Sequence, residues 1–583
     1  MDARSQTQLN QHLSAAGDAA ASRRALIAAA LVALAVISPF FFLGNASGHD
    51  FEVHAASWLE AAQQWRQGVI YPRWAEWANF GFGEPRFIFY PPLSWTLGAA
   101  LEIVLPGRMV PGALIWLSLL LAGMSMYYLA REWLKPGDAM TAAAFYAANP
   151  YFLVIVYYRS DFAELLAAAF FPLAVLFVTR ITRGGERAVA RLAVAFALLW
   201  LSNAPTAVIA TYSLVLVLVV VSLVERAPRA LLRGAAGLAA GFGLAAFYIL
   251  PAAWEQKWVR IDQVFGHLLL PEKNFLFTHS NDPEFVLFNW KVSSVAVGIL
   301  LVAGIAAVIA GRQRKGAPGF WWTMTALGSA AAALMFPLTL PAWRYLPELR
   351  FVQFPWRWLI VLNLACAALL GRAIAHAKWK WAWRIFFVVL LIAAGAAMVR
   401  DQFAWSGSDD LQDLSDAIRA EKGYEGMDEY QPLGCDRTDL PAAAPRVRLQ
   451  NDAGKLGVRA EHGIRIHVEE WSPERKVFSA DTQRALTLEL KLVNYPAWRA
   501  EVNGEAARLQ GLPGTAQMLL EIPGGHNRVE IRFARTADRS LGNIFSLLTA
   551  LALASCVWFG RRGRPEDQQS TASRFPFARS ARH

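Results

Sequence analysis

Apolar runs long enough to cross a bilayer recur along most of this chain, and that repetition limits its fold more than any other feature. The first, Ala25 to Leu43, follows Arg23 and Arg24 and has about the 20 residues that span a hydrocarbon core. It is longer than the apolar stretch of a secretory signal peptide, so it reads as an uncleaved first span. Hydrophobic residues make up 55% of the 583 and charged ones only 17%, too little charge for a water-soluble globule of this size. The net charge of +11 is spread through short loops rather than gathered on one face. This argues against nucleic acid as a partner and for the lipid bilayer.

Those basic loops set the topology, because Lys and Arg concentrate in short cytoplasmic loops. They lie at Arg180–Arg191, Arg226–Arg233, Arg312–Lys315, Arg372–Arg384 and Arg561–Arg564, and all belong on one side. Four apolar runs separate Asp50 from Arg180, near 92–105, 111–130, 138–156 and 163–179, and four crossings would invert every later loop. The run at 92–105 opens with Pro91 and Pro92, contains Glu102 and is the shortest, so it is expected to be interfacial or re-entrant. Twelve spans are then expected, at 24–44, 111–131, 138–157, 163–180, 190–204, 206–224, 232–252, 288–311, 319–338, 355–374, 383–399 and 541–560.

The expected fold is an all-α polytopic membrane domain, 24–399, whose outer loop 45–110 carries interfacial helices. An extracytoplasmic, mainly β domain follows at 400–540, with a last span at 541–560. Polar tails at 1–23 and 561–583 read as disordered and cytoplasmic. In the outer domain "IRIHVEE", "LTLELKL", "WRAEVNG" and "NRVEIRF" alternate apolar and polar residues, the mark of half-buried antiparallel strands, and Asn503-Gly504 is a hairpin-turn dipeptide. A β-sandwich preceded by an acidic helix near 408–430 is expected. Of the three cysteines only Cys435 lies outside the spans, so no disulfide framework is implied.

No phosphate-binding glycine loop, HExxH or CxxC is present, and the chemistry must come from polar residues at the outer membrane surface. In "GHDFEVHAASWLEAAQQW" a helix over 51–66 places Phe51, Ala55, Trp58, Ala62 and Trp65 on one face, with Asp50, His54 and Ser57 on another. Asp50 reads either as the helix N-cap or as a functional carboxylate. His49 and His54 lie beside it, with no third metal ligand fixed by the pattern. In "YYRSDFAELL" Asp161 and Glu164 stand three apart at the start of a span, which is capping-box spacing. A carboxylate pair beside Arg159 at that depth is also costly without a purpose.

Cations face the same side. Arg344, Arg350 and Arg357 stand near one span end, and Lys257 and Arg260 follow another. Arg344 reads as a lipid-headgroup anchor, whereas Arg357 in "FPWRWL" lies deeper in the apolar segment and calls for a buried anionic partner. Arg73 and Arg86, in the long outer loop, complete the candidate set.

These residues resemble the GT-C superfamily of membrane glycosyltransferases: a first span ending in an acidic residue, a long outer loop, "YPPL", and a second carboxylate in the next outer turn. The match is closer to bacterial membrane proteins labelled "6-pyruvoyl-tetrahydropterin synthase-related", through "GHDFEVHAASW", "GVIYPRW", "NFGFGEPRFIFYPPL", "RSDFAELLAAAFFPL", "FPWRW" and "GYEGMDEY". No zinc-histidine set of the kind that label would require is visible. The resemblance implies a polyprenyl-phosphate-linked sugar donor, an extracytoplasmic acceptor and a place in the bacterial inner membrane. By position Asp50 matches the first-loop carboxylate of GT-C enzymes and Asp161 the second. Because Asp50 is flanked by His49 and Phe51, the paired acidic motif of several GT-C families is absent, and a divalent cation (Mg or Mn, on Asp50 and Asp161) stays an open question.

The residue types suit that chemistry. A carboxylate such as Asp50, with Asp161 or Glu164 as alternatives, serves as base toward an acceptor hydroxyl. Arg357, with Arg159, Lys257 or Arg260, stabilises a departing lipid phosphate. One base without a covalent nucleophile gives inversion. Two other classes stay open: a lipid-linked glycan flippase, which calls for ionisable residues deep in the spans and repeated halves, and a non-catalytic glycan-binding scaffold.

Overall fold

Nine helices among the described residues are long and apolar enough to cross a membrane. Up to eleven are, if the bent pairs Arg229–Leu244 with Ala246–Trp258 (70°) and Pro318–Leu334 with Pro337–Tyr345 (90°) each count as one span. The computed structural model describes residues 3–266, 268–402, 404–406, 408–450 and 464–562. The fifth expected span, 190–204, is the 17-residue helix Glu186–Ser202. At 1.5 Å per residue it is about 25 Å long, at the lower end of the length that spans a hydrocarbon core. It packs against its neighbour Phe162–Thr182, from which it is separated by a tight turn. Pro337 begins the second limb of the other bent pair, where its ring cannot continue a helix.

One further expectation changes. The first helix begins at Ala3 and runs to Ile37, so the segment read as a disordered tail continues the first span. Its alanine-rich sequence extends an existing helix at little cost. The tail 563–583 lies outside the described residues. The short run near 92–105 is the 13-residue helix Pro92–Val104, about 20 Å long. It packs on the helix Phe51–Arg66, where a Cβ at Gly98 would lie 2.1 Å from the Trp58 ring.

Phe51–Arg66 forms as expected, but it does not lie open on the membrane surface. His54, Ser57, Glu60 and Gln64 are buried along with Phe51, Trp58 and Ala62, because later chain covers its polar side. The acidic helix Ser408–Arg419 packs against it. The strand Asn45–Ala46 pairs antiparallel with Trp405–Ser406, tying the end of the first span to the start of the β-domain.

That domain has a four-stranded sheet in the order Val447–Leu449, Leu486–Val493, Gln517–Ile522, Leu509–Gly511. Against it lies a five-stranded sheet in the order Arg465–Ser472, Arg475–Thr482, Gly525–Phe533, Trp498–Val502, Glu505–Ala507. Asn503 (φ 55°) and Gly504 (φ 85°) turn the last hairpin, both in the left-handed region that a two-residue type I′ turn demands. Phe478, Leu488, Leu520 and Ile531 form the core between the sheets, and Trp74, Ile88 and Phe89 of the long loop belong to the same cluster. The β-domain therefore sits on loop 45–110 and not on a linker.

Candidate active site

The site is built at the turn between the helices that end at Arg159 and begin at Phe162. The last turn, Ile155–Arg159, is π-helical and closed by Ser160 N–H donating to the Ile155 carbonyl at 2.7 Å. Such turns insert a residue and re-aim side chains. Ser160 then takes a left-handed φ of 55°. Asp161 is the N-cap of the next helix, its Oδ1 accepting from Glu164 N–H at 2.9 Å.

The first outer segment lies directly on this turn. Gly48 N–H donates to Ser160 Oγ at 2.9 Å, Ser160 Oγ donates to the Ala46 carbonyl at 2.8 Å, and Asp50 N–H donates to the Arg159 carbonyl at 2.9 Å. A Cβ at Gly48 would stand 2.6 Å from the Arg159 carbonyl carbon, so only glycine permits the approach. The contact brings Asp50 to Arg159 although they are 109 residues apart in the chain.

Three carboxylates and two arginines then interlock. Arg159 Nη2 donates to Asp50 Oδ2 at 2.8 Å and lies 3.3 Å from Asp161 Oδ2, while its Nη1 donates to Glu164 Oε2 at 2.9 Å. Arg357 donates from Nε to Glu164 Oε2 at 3.0 Å, from Nη2 to Asp161 Oδ2 at 3.2 Å and from Nη1 to the Val352 carbonyl at 3.1 Å. Tyr151 donates to the other oxygen of Glu164. The rings of Trp356 and Phe354 lie 5.1 and 5.5 Å from the Arg159 guanidinium. Asp161 and Glu164 are buried, whereas the Asp50 side chain is 35% exposed. Burial opposes charge on Asp161, but Arg159, the His54 hydrogen bond and Arg357 outweigh it and hold its carboxyl well below the usual range.

His54 Nε2 stands 3.9 Å from Asp161 Oδ1 and 3.5 Å from the Tyr90 hydroxyl. Burial, with Asp161 and Asp50 nearby, pushes the Tyr90 phenol well up. His49 stacks edge-on against Phe288 at 5.2 Å. Burial and Arg159 lower its pKa, and Asp50 partly offsets them.

The capping reading of Asp50 is corrected: it occupies the N-cap position of Phe51–Arg66, but its side chain makes no capping bond. Arg159 takes that carboxylate. Asp161 both caps and pairs. The expectation of a buried anionic partner for Arg357 holds, and that partner is a pair of carboxylates. Four expected cations stand elsewhere. Lys257 lies over the Trp254 ring at 3.6 Å, and Arg260 reaches the Cys435 carbonyl at 3.4 Å. Arg73 stacks on Tyr71 at 4.1 Å. Arg86 pairs with Glu84 at 2.7 Å in a second buried network, where Tyr424 donates to Glu60 and Met427 N–H donates to Glu84 Oε2 at 2.9 Å. Tyr151 and Ser160, which no motif marked, complete the main cluster. Ser160 stood next to Asp161 in the chain, whereas Tyr151, ten residues before it, carried no signal.

Among the described residues no group of three or more His, Cys, Asp or Glu side chains is placed to hold a divalent ion, and the Arg159 guanidinium occupies the space between Asp50 and Asp161 that a bridging cation would need.

Residues 87–406 match the family model of the 6-pyruvoyl-tetrahydropterin synthase related domain, described as a membrane protein. No curated protein matches the sequence. Among solved structures, the apo oligosaccharyltransferase of Archaeoglobus fulgidus is similar at 14% identity and a TM-score of 0.45, over 68% of this chain and 58% of that one. Arabinofuranosyltransferase AftD from Mycobacteria is similar at 21% identity and 0.41, over 65% of this chain and 26% of that one. Apo ArnT from Cupriavidus metallidurans is similar at 15% identity and 0.38, over 70% of each chain. This chain thus spans less than two thirds of the length of the first two. The fold described above stands on its own helices and strands.

Proposed function

We propose, from the premise that the chain belongs to the 6-pyruvoyl-tetrahydropterin synthase related family of membrane proteins, that it is a glycosyltransferase. It moves a sugar from a polyprenyl-phosphate donor to an acceptor outside the cytoplasm. The observation that carries this reading is the inequality of the three clustered carboxylates. Asp161 and Glu164 are buried and each faces both arginines, so they serve as scaffolding. Asp50 is bonded to Arg159 yet keeps a third of its side chain open.

Asp50 is then the base. It accepts the proton of the acceptor hydroxyl as the acceptor oxygen bonds to the anomeric carbon and the bond to the donor phosphate breaks. The electron pair leaves on the phosphate, which needs positive charge and no proton. Arg159, held by Asp161 and Glu164, orients Asp50, Arg357 offsets the charge of the two buried carboxylates, and the charge for the phosphate comes from cations outside this cluster. No second nucleophile takes part, so the anomeric configuration inverts.

The test separates this from a flippase or a scaffold. The protein is reconstituted in vesicles containing a panel of polyprenyl-phosphate sugars, and formation of free polyprenyl phosphate is followed. A transferase releases it only when an acceptor is supplied. Movement of the intact donor across the bilayer with no release would mark a flippase.

A further inference from the structure

Helix Lys380–Asp401 is apolar enough to cross a membrane, yet Met398 alone among its residues is buried. It meets the bundle along one narrow seam. Along that seam lies a cavity of about 810 Å³, at the upper end of the range for small-molecule sites. Its wall is mostly apolar, with Phe145, Val302, Leu370, Phe387 and Ala394, and also carries Asn149, Ser294 and Asn363. From Asp401 at the rim to Phe387 inside, the helix rise gives a depth of about 21 Å, well over half of a hydrocarbon core.

The rim is of a different character. Tyr158, Arg400 and Asp401 line it. Lys291 Nζ pairs with Asp401 Oδ2 at 2.5 Å, and the Tyr158 hydroxyl donates to the same oxygen at 3.2 Å. Arg400 is exposed and joins no ion pair among the described residues. Two cations therefore face one carboxylate at the mouth of an apolar cavity.

That mouth adjoins the candidate active site through two elements. Tyr158 precedes Arg159 in the chain. On helix Pro283–Gly311, Phe288 touches His49, Lys291 is one turn on and Ser294 is on the cavity wall. Spacing of three makes each the surface neighbour of the next along the helix.

We propose that this cavity holds the isoprenoid chain of a lipid monophosphate and that Lys291 and Arg400 seat its phosphate at the rim, Lys291 standing one helical turn from Phe288, which packs on His49 beside Asp50. The inference rests on the reading of the chain as a transferase with a lipid-linked donor, and it names where that donor binds. Arg357 is not the phosphate seat, since its Nε, Nη1 and Nη2 are each already engaged. A single chain fits one cavity with a phosphate at its mouth, and a chain longer than the cavity runs out along the seam into the bilayer.

Binding, read without turnover, is the test. Purified full-length protein in detergent is titrated with undecaprenyl phosphate, undecaprenol and phosphatidylglycerol, with bound lipid counted by native mass spectrometry. Wild type is expected to prefer undecaprenyl phosphate by about tenfold or more, as one lost charge-assisted contact would cost. Lys291→Gln with Arg400→Gln should abolish that preference while undecaprenol binding persists. Gly298→Trp, where an added Cβ meets nothing within 4 Å on the cavity wall, should weaken binding of all isoprenoid lipids. Should that variant fail to fold, a diazirine-bearing polyprenyl phosphate on wild type is expected to label Phe387, Leu391 or Ala394. Equal binding of phosphatidylglycerol would make the seam an ordinary lipid contact and overturn the proposal. So would unchanged binding to Gly298→Trp, or labelling confined to other helices. If these lipids bind as expected but no sugar is ever transferred, the transferase reading fails and the binding site stands.

Discussion

At the scale of single residues, the cluster gives each charge a distinct consequence. Removing Arg357 leaves Asp161 and Glu164 with Arg159 as their one remaining arginine, and an uncompensated buried charge costs about 3–5 kcal/mol. Arg357→Ala should lower stability by that order, read as a fall in thermal unfolding temperature in detergent. Arg357→Lys keeps the charge but cannot reproduce the planar fork that bonds both carboxylates, and should fall between the two. Asp161, held below its ordinary range, contributes stability that is present at neutral pH and lost only as pH falls well below the usual carboxylate range. Asp161→Asn should flatten that acid limb in pH-dependent melts. Asp50, Asp161, Glu164 and Arg357 were legible as candidates because a charge at a span end has a recognisable cost. The pairing of Asp50 with Arg159 was not legible, since the two meet only through a backbone approach between distant segments. Lys291, lying inside an apolar run, carried no pattern to separate it from a snorkelling anchor.

At the scale of elements, two contacts hold the outer loop. The first is Gly48 on the 158–159 backbone. Gly48→Ala would force a methyl group into carbonyl contact distance and should separate Asp50 from Arg159, lowering turnover more than it lowers lipid binding. The second is the strap 423–428, whose Tyr424 N–H donates to the Trp77 carbonyl at 2.9 Å and whose hydroxyl reaches Glu60. Burial raises Glu60 to about 7, against the Tyr424 hydrogen bond and Arg86, while Glu76 adds to the rise. Because the folded value is raised, the stability it contributes is full below the ordinary value near 4.5 and is lost as pH rises through about 7. Hydrogen exchange across 423–428 should therefore quicken between pH 5 and pH 8 by an amount that Glu60→Gln removes. The alternating strands and the Asn-Gly hairpin were readable because period-two patterning is local. The burial of helix Phe51–Arg66 on its polar side was not, because its cover comes from chain more than 300 residues later, as with Tyr424 and Glu60 (|i−j| 364).

At the scale of the whole molecule, the end of the first span, the turn 159–161, the Arg357 segment, the cavity mouth and the β-domain share one end of the bundle. The positions of the basic loops lead to the expectation that this end faces outward, which a cysteine can check. With Cys556 replaced, Arg108→Cys, exposed next to the helix Pro92–Val104, should react with an impermeant reagent added to intact cells; labelling only after permeabilisation would invert the topology. The central claim is that Asp50 takes the acceptor proton beside a lipid-linked sugar. Its most direct test is sugar transfer by reconstituted Asp50→Asn, with melting temperature and undecaprenyl phosphate binding measured on the same preparation. Asparagine keeps the size and one acceptor oxygen but cannot take the proton, so transfer should fall by about 10²-fold or more while the protein still folds and binds the lipid. Near-normal transfer by Asp50→Asn would contradict the account.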